Sequence, residues 1–365
     1  MLITLLLISM WVTFQKGEIL MKILKRLLSL LFIIISIILV TITPNAREIA
    51  TLYSVQAILP TNQINSRVSY FDLRLEQGQS QIIEVLITNT SDEPIKLQVS
   101  VNNAATNFNG HIMYMIENVR DDSLLFPMES IATVIDKQFV LDVDESRLVK
   151  IELVMPDQTI PGVVLGGIIV RGDRVNQESK PNQDVGINLD NRVAHVIGLV
   201  ISENDDYVTP NMNYLGTHPT LHGLATAVGV TLQNTEAVIM QDVSINAEVY
   251  QKNSDNLLFS ASTNHANIAP NSSFDFIVDW EGNALVPGTY RLKLSVEYEE
   301  YVWQWDEEFT IGQSDASNLN NNAISARTAI PYLLFSILAA LATIILAFII
   351  LILFKKRKDK KKIAL

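Results

Sequence analysis

The chain contains an uncharged run of 25 residues, Ile330 to Phe354, followed at once by Lys355-Lys356-Arg357-Lys358-Asp359-Lys360-Lys361-Lys362. As a helix rising about 1.5 Å per residue, the run would span roughly 37 Å, enough to cross a hydrocarbon layer of about 30 Å with some tilt. Basic residues gather on the cytoplasmic side of a membrane. The pattern predicts a transmembrane helix over 330–354 and a basic cytoplasmic tail over 355–365, with everything before Ile330 outside. The N-terminus reads consistently. Met21-Lys22-Ile23-Leu24-Lys25-Arg26 is a basic segment, and Leu27 to Val40 is an apolar one. Together they predict a signal peptide region over 1–50, with translation expected to begin at Met21; an uncleaved N-terminal anchor is the alternative. Both signals place the remainder, its function included, on the extracytoplasmic face of a membrane.

Composition then narrows the class. Residues 47–354 carry 16 Lys and Arg against 37 Asp and Glu, a net charge of −21. So acidic a surface repels nucleic acid at long range, and no nucleic-acid partner is expected. There are no cysteines. An exported chain without disulfides must hold itself by hydrophobic burial, and roughly 280 residues suit two domains of ordinary size.

The exported part is strand-like throughout. Gln81 to Thr88 and Ile95 to Val101 flank a polar turn, and the second run alternates apolar and polar residues as a half-buried antiparallel strand does. Arg147 to Val154, Val163 to Val170 and Arg192 to Ser202 continue the group. A second group follows Asp205 to Pro210: Leu224 to Gln233, Asp242 to Tyr250, Phe274 to Trp280, then a hairpin of Tyr290 to Tyr298 and Tyr301 to Ile311 around Glu299-Glu300. Tyr290, Leu292, Leu294, Val296 and Tyr298 should share one face. The groups rhyme. Ile87-Thr88-Asn89-Thr90, a turn and a strand match Leu232-Gln233-Asn234-Thr235, a turn and a strand. Pro161-Gly162 and Pro287-Gly288 each precede an apolar strand. The expected fold is all-β, with two immunoglobulin-like sandwiches in tandem over 51–206 and 207–311, a polar stalk over 312–329 and the C-terminal transmembrane helix.

Catalysis and metal binding find little support. There is no thiol nucleophile and no Gly-x-Ser-x-Gly elbow. His218 and His222 are four apart, but Pro219 breaks the helix that would align them, so a loop is expected there. The acidic clusters at Asp142 to Glu145, Glu203 to Asp206 and Asp306 to Glu308 lack calcium-loop spacing and read as solvated strand ends. Gly166-Gly167 lies inside an apolar strand, where glycine signals a bulge or a close backbone approach rather than a phosphate cradle. No catalytic residue, metal or cofactor is expected. Two candidate binding features remain. Tyr301, Trp303 and Trp305 stand on one face of the last strand, where they either fill the core or offer a platform for sugar or protein. Arg171-Gly172-Asp173 is a tripeptide that integrins read, and it is expected at an exposed turn after the strand ending at Val170.

An ordered series of short motifs carries a family resemblance. Gln56-Ala57-Ile58-Leu59-Pro60, Asn62-Gln63-Ile64, Tyr70-Phe71-Asp72-Leu73, Thr88-Asn89-Thr90-Ser91, Leu165-Gly166-Gly167-Ile168 and Val196-Ile197-Gly198 resemble the first domain of the WxL-interacting proteins, surface proteins of low-GC Gram-positive bacteria. Leu232-Gln233-Asn234, Ala269-Pro270-Asn271-Ser272 and Pro287-Gly288-Thr289-Tyr290 resemble the second. The resemblance runs from about Tyr53 to Lys362. It implies a peptidoglycan-binding first domain, a host-binding second domain and association with a secreted WxL-domain protein at the wall. This chain has no Trp-x-Leu of its own, so it would be the partner of a WxL protein. The function expected is a non-enzymatic surface binder of a WxL-domain protein and peptidoglycan. A host-matrix adhesin is the first alternative and a wall-modifying enzyme the second.

Overall fold

The computed structural model describes residues 51–115, 120–175 and 194–323. The segments expected as signal peptide, transmembrane helix and basic tail lie outside these residues. Among the described residues, no helix is long and apolar enough to cross a membrane.

The first twelve elements are β1 (Tyr53–Ile58), β2 (Phe71–Arg74), β3 (Ser80–Asn89), β4 (Ile95–Asn103), β5 (Ala105–Thr106), β6 (Ile112–Met113), α1 (Met128–Ile131), β7 (Ala132–Val134), β8 (Gln138–Leu141), β9 (Ser146–Val154), β10 (Val163–Arg174) and β11 (Ala194–Ser202). They form a sandwich of two sheets, ordered β1-β3-β9-β7 and β2-β11-β10-β4-β8, with β5 and β6 as a separate ribbon. The alternation seen in the sequence sets the inner faces. Ile83, Val85 and Ile87 of β3 meet Leu97, Val99, Ile168 and Leu199 of the opposite sheet in one buried core. Each such aliphatic side chain contributes about 1.5–3 kcal/mol by leaving water.

The second sandwich comprises β12 (Met212–His222), β13 (Ala225–Asn234), β14 (Met240–Gln251), β15 (Leu257–Ile268), β16 (Ser272–Asp279), β17 (Gly288–Tyr298) and β18 (Tyr301–Ile311), followed by α2 (Gln313–Asn322). Its sheets run β12-β13-β16 and β15-β14-β17-β18. As expected, Tyr290, Leu292, Leu294 and Val296 face a common core with Val228, Val230, Ile245 and Phe276, and Tyr298 packs at its margin.

The rhyme is a repeated architecture. β1-β3-β9 corresponds to β12-β13-β16, and β11-β10-β4-β8 corresponds to β18-β17-β14-β15. The registers agree as well: Tyr53 opposes Asn89 in the first sandwich, and Met212 opposes Asn234 in the second. The first sandwich has two additions. β7 extends one sheet, and β2 lies parallel to the outer edge of β11, pairing Phe71 with Leu199 and Leu73 with Ile201. Nothing corresponding to β2 lies beside β18 among the described residues.

Two expectations need correction. The polar stalk is helical over 313–322. α2 folds back so that Ala316 is buried and Leu319 packs on the second core, and the Asn320 side chain bonds both backbone groups of Leu285, at 2.8 and 2.9 Å. Satisfied backbone groups and a small apolar contact outweigh the weak helix propensity of an Asn/Ser-rich segment. His218 and His222 belong not to a loop but to β12, an edge strand that tolerates Pro219 because one side of its backbone has no ladder to lose.

Candidate functional site

Glu299 and Glu300 form the two-residue turn between β17 and β18, with Glu299 at φ 51° in the left-handed region. From that turn Tyr301, Trp303 and Trp305 project toward the inner side of their sheet, opposite Tyr298, Val296 and Leu294 of β17. Their sheet has four strands and the facing sheet three. The row therefore sits at the rim, half-buried: Trp303 and Trp305 pack against the core margin and keep part of their rings open. The core reading describes the packed side of this row.

Two aromatics absent from the sequence reading complete the row. The Tyr207 hydroxyl lies 3.0 Å from that of Tyr301, and the Tyr214 ring centroid is 6.2 Å from that of Trp305. The Tyr301 and Trp303 rings are stacked within 15° at 5.9 Å. No period in the sequence links Tyr207 or Tyr214 to β18; tertiary packing of β12 and of the segment that leads into it brings them there. The hydrogen bond to Tyr301 is the main cause that pushes the Tyr207 phenol up to about 12, helped by desolvation and by Glu300 and Glu299. Burial raises the Tyr214 and Tyr298 phenols, and Glu299 adds to the second.

Arg171-Gly172-Asp173 does not form an exposed turn. β10 continues through Arg174, so the tripeptide is paired with Gln98, Leu97 and Lys96 of β4. Gly172 faces inward under the Tyr53 ring, and a Cβ there would lie 2.4 Å from that ring. Tyr53 in turn donates its hydroxyl to the Val170 carbonyl at 2.8 Å, and burial pushes its phenol up to about 12. Arg171 and Asp173 point to the outer face on either side of Gly172. The glycine thus answers a packing demand, not a turn.

The Gly-Gly pair likewise marks close approach. A Cβ on Gly166 would lie 2.4 Å from the Met128 side chain on the core side, and one on Gly167 would lie 2.7 Å from Tyr114 on the outer side. Gly167 opposes Gly198 across the ladder, so Tyr114 rests on a bare strip of backbone and its carbonyl accepts from Asn102 at 2.9 Å. Ser100 Oγ, on the same outer face, is buried without a hydrogen-bond partner among the described residues.

The motifs that suggested a second domain are the ones that join it to the first. The two sandwiches belong to one compact unit. Ala269 N–H donates to Thr106 Oγ1 at 2.9 Å, Thr106 and Ser272 hydroxyls meet at 2.7 Å, and Ser272 Oγ donates to the Ala269 carbonyl at 2.9 Å. Thr106 of the first sandwich thereby closes a hydroxyl ring with a turn of the second. Gln233 donates to Asp121 at 2.8 Å, Asn271 donates to the Ser123 carbonyl at 3.0 Å, and Val163 N–H donates to the Ala237 carbonyl at 2.9 Å. Burial alone would raise the Asp121 carboxyl. Hydrogen bonds from Ser123, Gln233 and Ser273 outweigh it and hold the group below the usual carboxylate range. A cavity of about 130 Å³ remains in the joint, between Ala104, Phe126, Pro161, Leu165, Ala237 and Asn271.

Reactive constellations do not assemble among the described residues. No three His, Asp or Glu side chains converge as a metal set. His218 stands over Gly229, 3.3 Å from Asp275, whose other oxygen accepts from Thr231 at 2.7 Å. That exposed trio packs one sheet face, and its hydroxyl is bonded to the carboxylate, not to the imidazole.

Comparison with known proteins gives two family matches in succession. Residues 53–171 match the family described as WxL Interacting Protein, peptidoglycan binding domain. Residues 184–321 match the one described as WxL Interacting Protein, host binding domain. No curated protein sequence matches the chain. Solved structures that the chain matches include the E. coli chaperone DraB (14% identity, 71% of this chain and 95% of that one, TM-score 0.27). The Pseudomonas aeruginosa CupB2 chaperone is 11% identical over 66% of this chain and 97% of that one, at a TM-score of 0.25. PapD-like domain 7 of human CEP192 is 10% identical over 46% and 94%, at 0.27.

Proposed function

Because this chain belongs to the WxL-interacting protein family, we propose that it is a non-enzymatic cell-surface binding protein that holds a secreted WxL-domain protein at the membrane–wall boundary. In this reading the first sandwich engages peptidoglycan and the second engages a protein. The observation that supports it is the order of the two family matches, the first within the first sandwich and the second running from residue 184, before β11 of that sandwich, through the second. The absence of a thiol and the packing role of the His218 trio are consistent with binding rather than catalysis. A membrane helix over 330–354, a cytoplasmic tail and a cleaved signal peptide complete the assignment, supported by the hydropathy and charge of the sequence. The second family description, host binding domain, also favours a host ligand for the second sandwich.

The test is surface-based kinetics of the full chain in detergent against a purified WxL-domain protein, purified peptidoglycan and a host matrix protein. Binding to the first two is expected. An acidic ectodomain meeting a basic partner should associate more slowly as salt rises, with less change in dissociation, since steering is screened over a Debye length of about 8 Å at physiological ionic strength. A folded chain that binds neither WxL-domain protein nor peptidoglycan overturns the reading. Topology is tested separately: protease added to wall-stripped cells should spare a tag after Leu365.

A further inference from the structure

The internal repeat exposes a difference at one sheet edge. In the first sandwich the outer edge of β11 is covered by β2 in parallel register. The corresponding strand of the second sandwich, β18, pairs with β17 alone among the described residues. β12 approaches it from the facing sheet without a hydrogen-bonded ladder. The Tyr298–Tyr301 pair closes a two-residue hairpin, so residues 301, 303 and 305 direct their N–H and C=O groups at β17. Val302, Gln304 and Asp306 direct theirs outward. An eleven-residue strand therefore offers a row of backbone donors and acceptors along one side.

The side chains along that edge have a definite chemistry. On the inner face the half-buried aromatic row is continued by exposed Glu307. At the hairpin tip, Glu297, Glu299 and Glu300 are exposed and make no ion pair among the described residues. The nearby cations are committed elsewhere: Arg291 to Asp306, Lys252 to Glu308 at 2.7 Å, and Lys293 to the Tyr250 ring. Aromatic faces beside unneutralised carboxylates attract ammonium and guanidinium groups, through the ring quadrupole and by ion pairing.

We propose that the open edge of β18, with Tyr301, Trp303 and Trp305 beside it and Glu297, Glu299 and Glu300 at its tip, docks an extended lysine- or arginine-rich segment of a partner polypeptide as an added strand. This rests on the reading of the second sandwich as the protein-binding module. The position is the one β2 occupies in the first sandwich, so the sheet already accepts a strand there. Backbone ladder bonds supply affinity, and alternate side chains of the added strand fall level with the aromatic row or with Val302 and Gln304. An acidic segment would be repelled by the same tip.

The experiment uses the full chain in detergent and a fluorescein-labelled decapeptide of alternating lysine and threonine, with a glutamate–threonine decapeptide as its mate. The lysine peptide should bind, weaken at least tenfold between 50 and 300 mM salt, and shift tryptophan emission; the glutamate peptide should not bind. Gln304→Pro removes an outward N–H from an edge where proline is tolerated. It should weaken the lysine peptide at least tenfold with an unchanged melt. If Gln304→Pro melts early, the exposed double variant Glu299→Lys, Glu300→Lys carries the test with the same expectation. Equal binding of both peptides, insensitivity to both variants, or displacement of the lysine peptide by chito-oligosaccharide overturns the proposal, the last identifying the row as a sugar platform. Wild type and Gln304→Pro are also compared on a purified WxL-domain protein. Equal binding there overturns the edge assignment and leaves the scaffold function standing. A wild type that binds neither this protein nor peptidoglycan fails the scaffold reading itself.

Discussion

Asn89 and Asn234 occupy the same place in the two sandwiches and are put to different use. Each ends the strand that pairs with the first strand of its domain, β3 or β13, and is wholly buried. Each donates from its amide to the carbonyl four residues on, Glu93 or Val238, at 2.9 and 2.8 Å. Each also receives a backbone N–H two residues on, from Ser91 or Glu236. Even the following threonine repeats: Thr90 N–H donates to Leu52 and Thr235 N–H to Asn211, the residues just before β1 and β12. The third connection differs. Asn89 ties its corner to Leu141 and Asp142 within its own sandwich, and the corner ends in a half-exposed Arg174–Glu93 pair. Asn234 ties its corner to Ala269, the residue that carries Thr106 of the other domain. One device thus closes a free end and, repeated, builds a joint. A buried amide that satisfies several carbonyls is rigid enough for either task.

Substitution of the two asparagines should have the largest effect. Asn89→Ala and Asn234→Ala each leave buried carbonyls without donors, and each should destabilise the protein by about 3–5 kcal/mol in denaturant unfolding. Only Asn234→Ala should also accelerate amide exchange at Ala269 and Asn271. Equal exchange in both variants would break the distinction between closure and joint.

Gly162→Ala should come next. Gly162 has φ +65°, and a Cβ would lie 2.2 Å from the Ala237 carbonyl oxygen. The expected loss is about 2–3 kcal/mol, with the Val163–Ala237 contact opened. Gly78, at φ +67° in another turn of the first sandwich, would bring a Cβ only to the Asp157 side chain, at 3.1 Å, so Gly78→Ala should cost about 1 kcal/mol, mostly backbone strain. A Gly78→Ala penalty as large as that of Gly162→Ala would show that strain, not the joint, is being measured.

Thr106→Val should cost about 1–2 kcal/mol, because it leaves Ala269 N–H and Ser272 Oγ without their shared partner at a buried site. Acid gives the smallest effect. The Asp121 carboxyl is held below its ordinary value of 3.8, so it adds stability above that pH, and the contribution is lost as pH falls through its lower folded value. Exchange across the joint should rise below about pH 4, and Asp121→Asn should abolish the dependence.

The repeated sandwiches were legible because their signals are local. Alternation in β4 and β17, and the Asn-Thr corners, each sit within ten residues. What escaped reading depends on partners far along the chain. The middle of β15 reads Ser260-Ala261-Ser262-Thr263-Asn264-His265, a polar outer stretch between Phe259, which stacks on Trp280, and the buried Ala266 and Ile268. α2 has one buried alanine and one leucine within ten mostly polar residues, too short an apolar period to announce a helix. Arg171-Gly172-Asp173 was misplaced because a glycine admitting a ring from 119 residues upstream has the same spelling as a glycine admitting a turn. The aromatic row was found from the spacing of Tyr301, Trp303 and Trp305, whereas Tyr207 and Tyr214 join it only through tertiary pairing.

Any pull on the chain beyond Ala323 reaches α2 before it reaches β18. The helix is held by Ala316, Leu319 and the two Asn320–Leu285 bonds, whereas β18 is held by a ladder of eleven residues. Under load the helix yields first. Its ten residues then lengthen from about 15 Å to about 33 Å, paying out roughly 18 Å of slack. During that stretch β18 stays in register with β17. The helix is in effect a fuse in series with the sandwich, giving way so that strand order outlasts a tug on the chain that follows it.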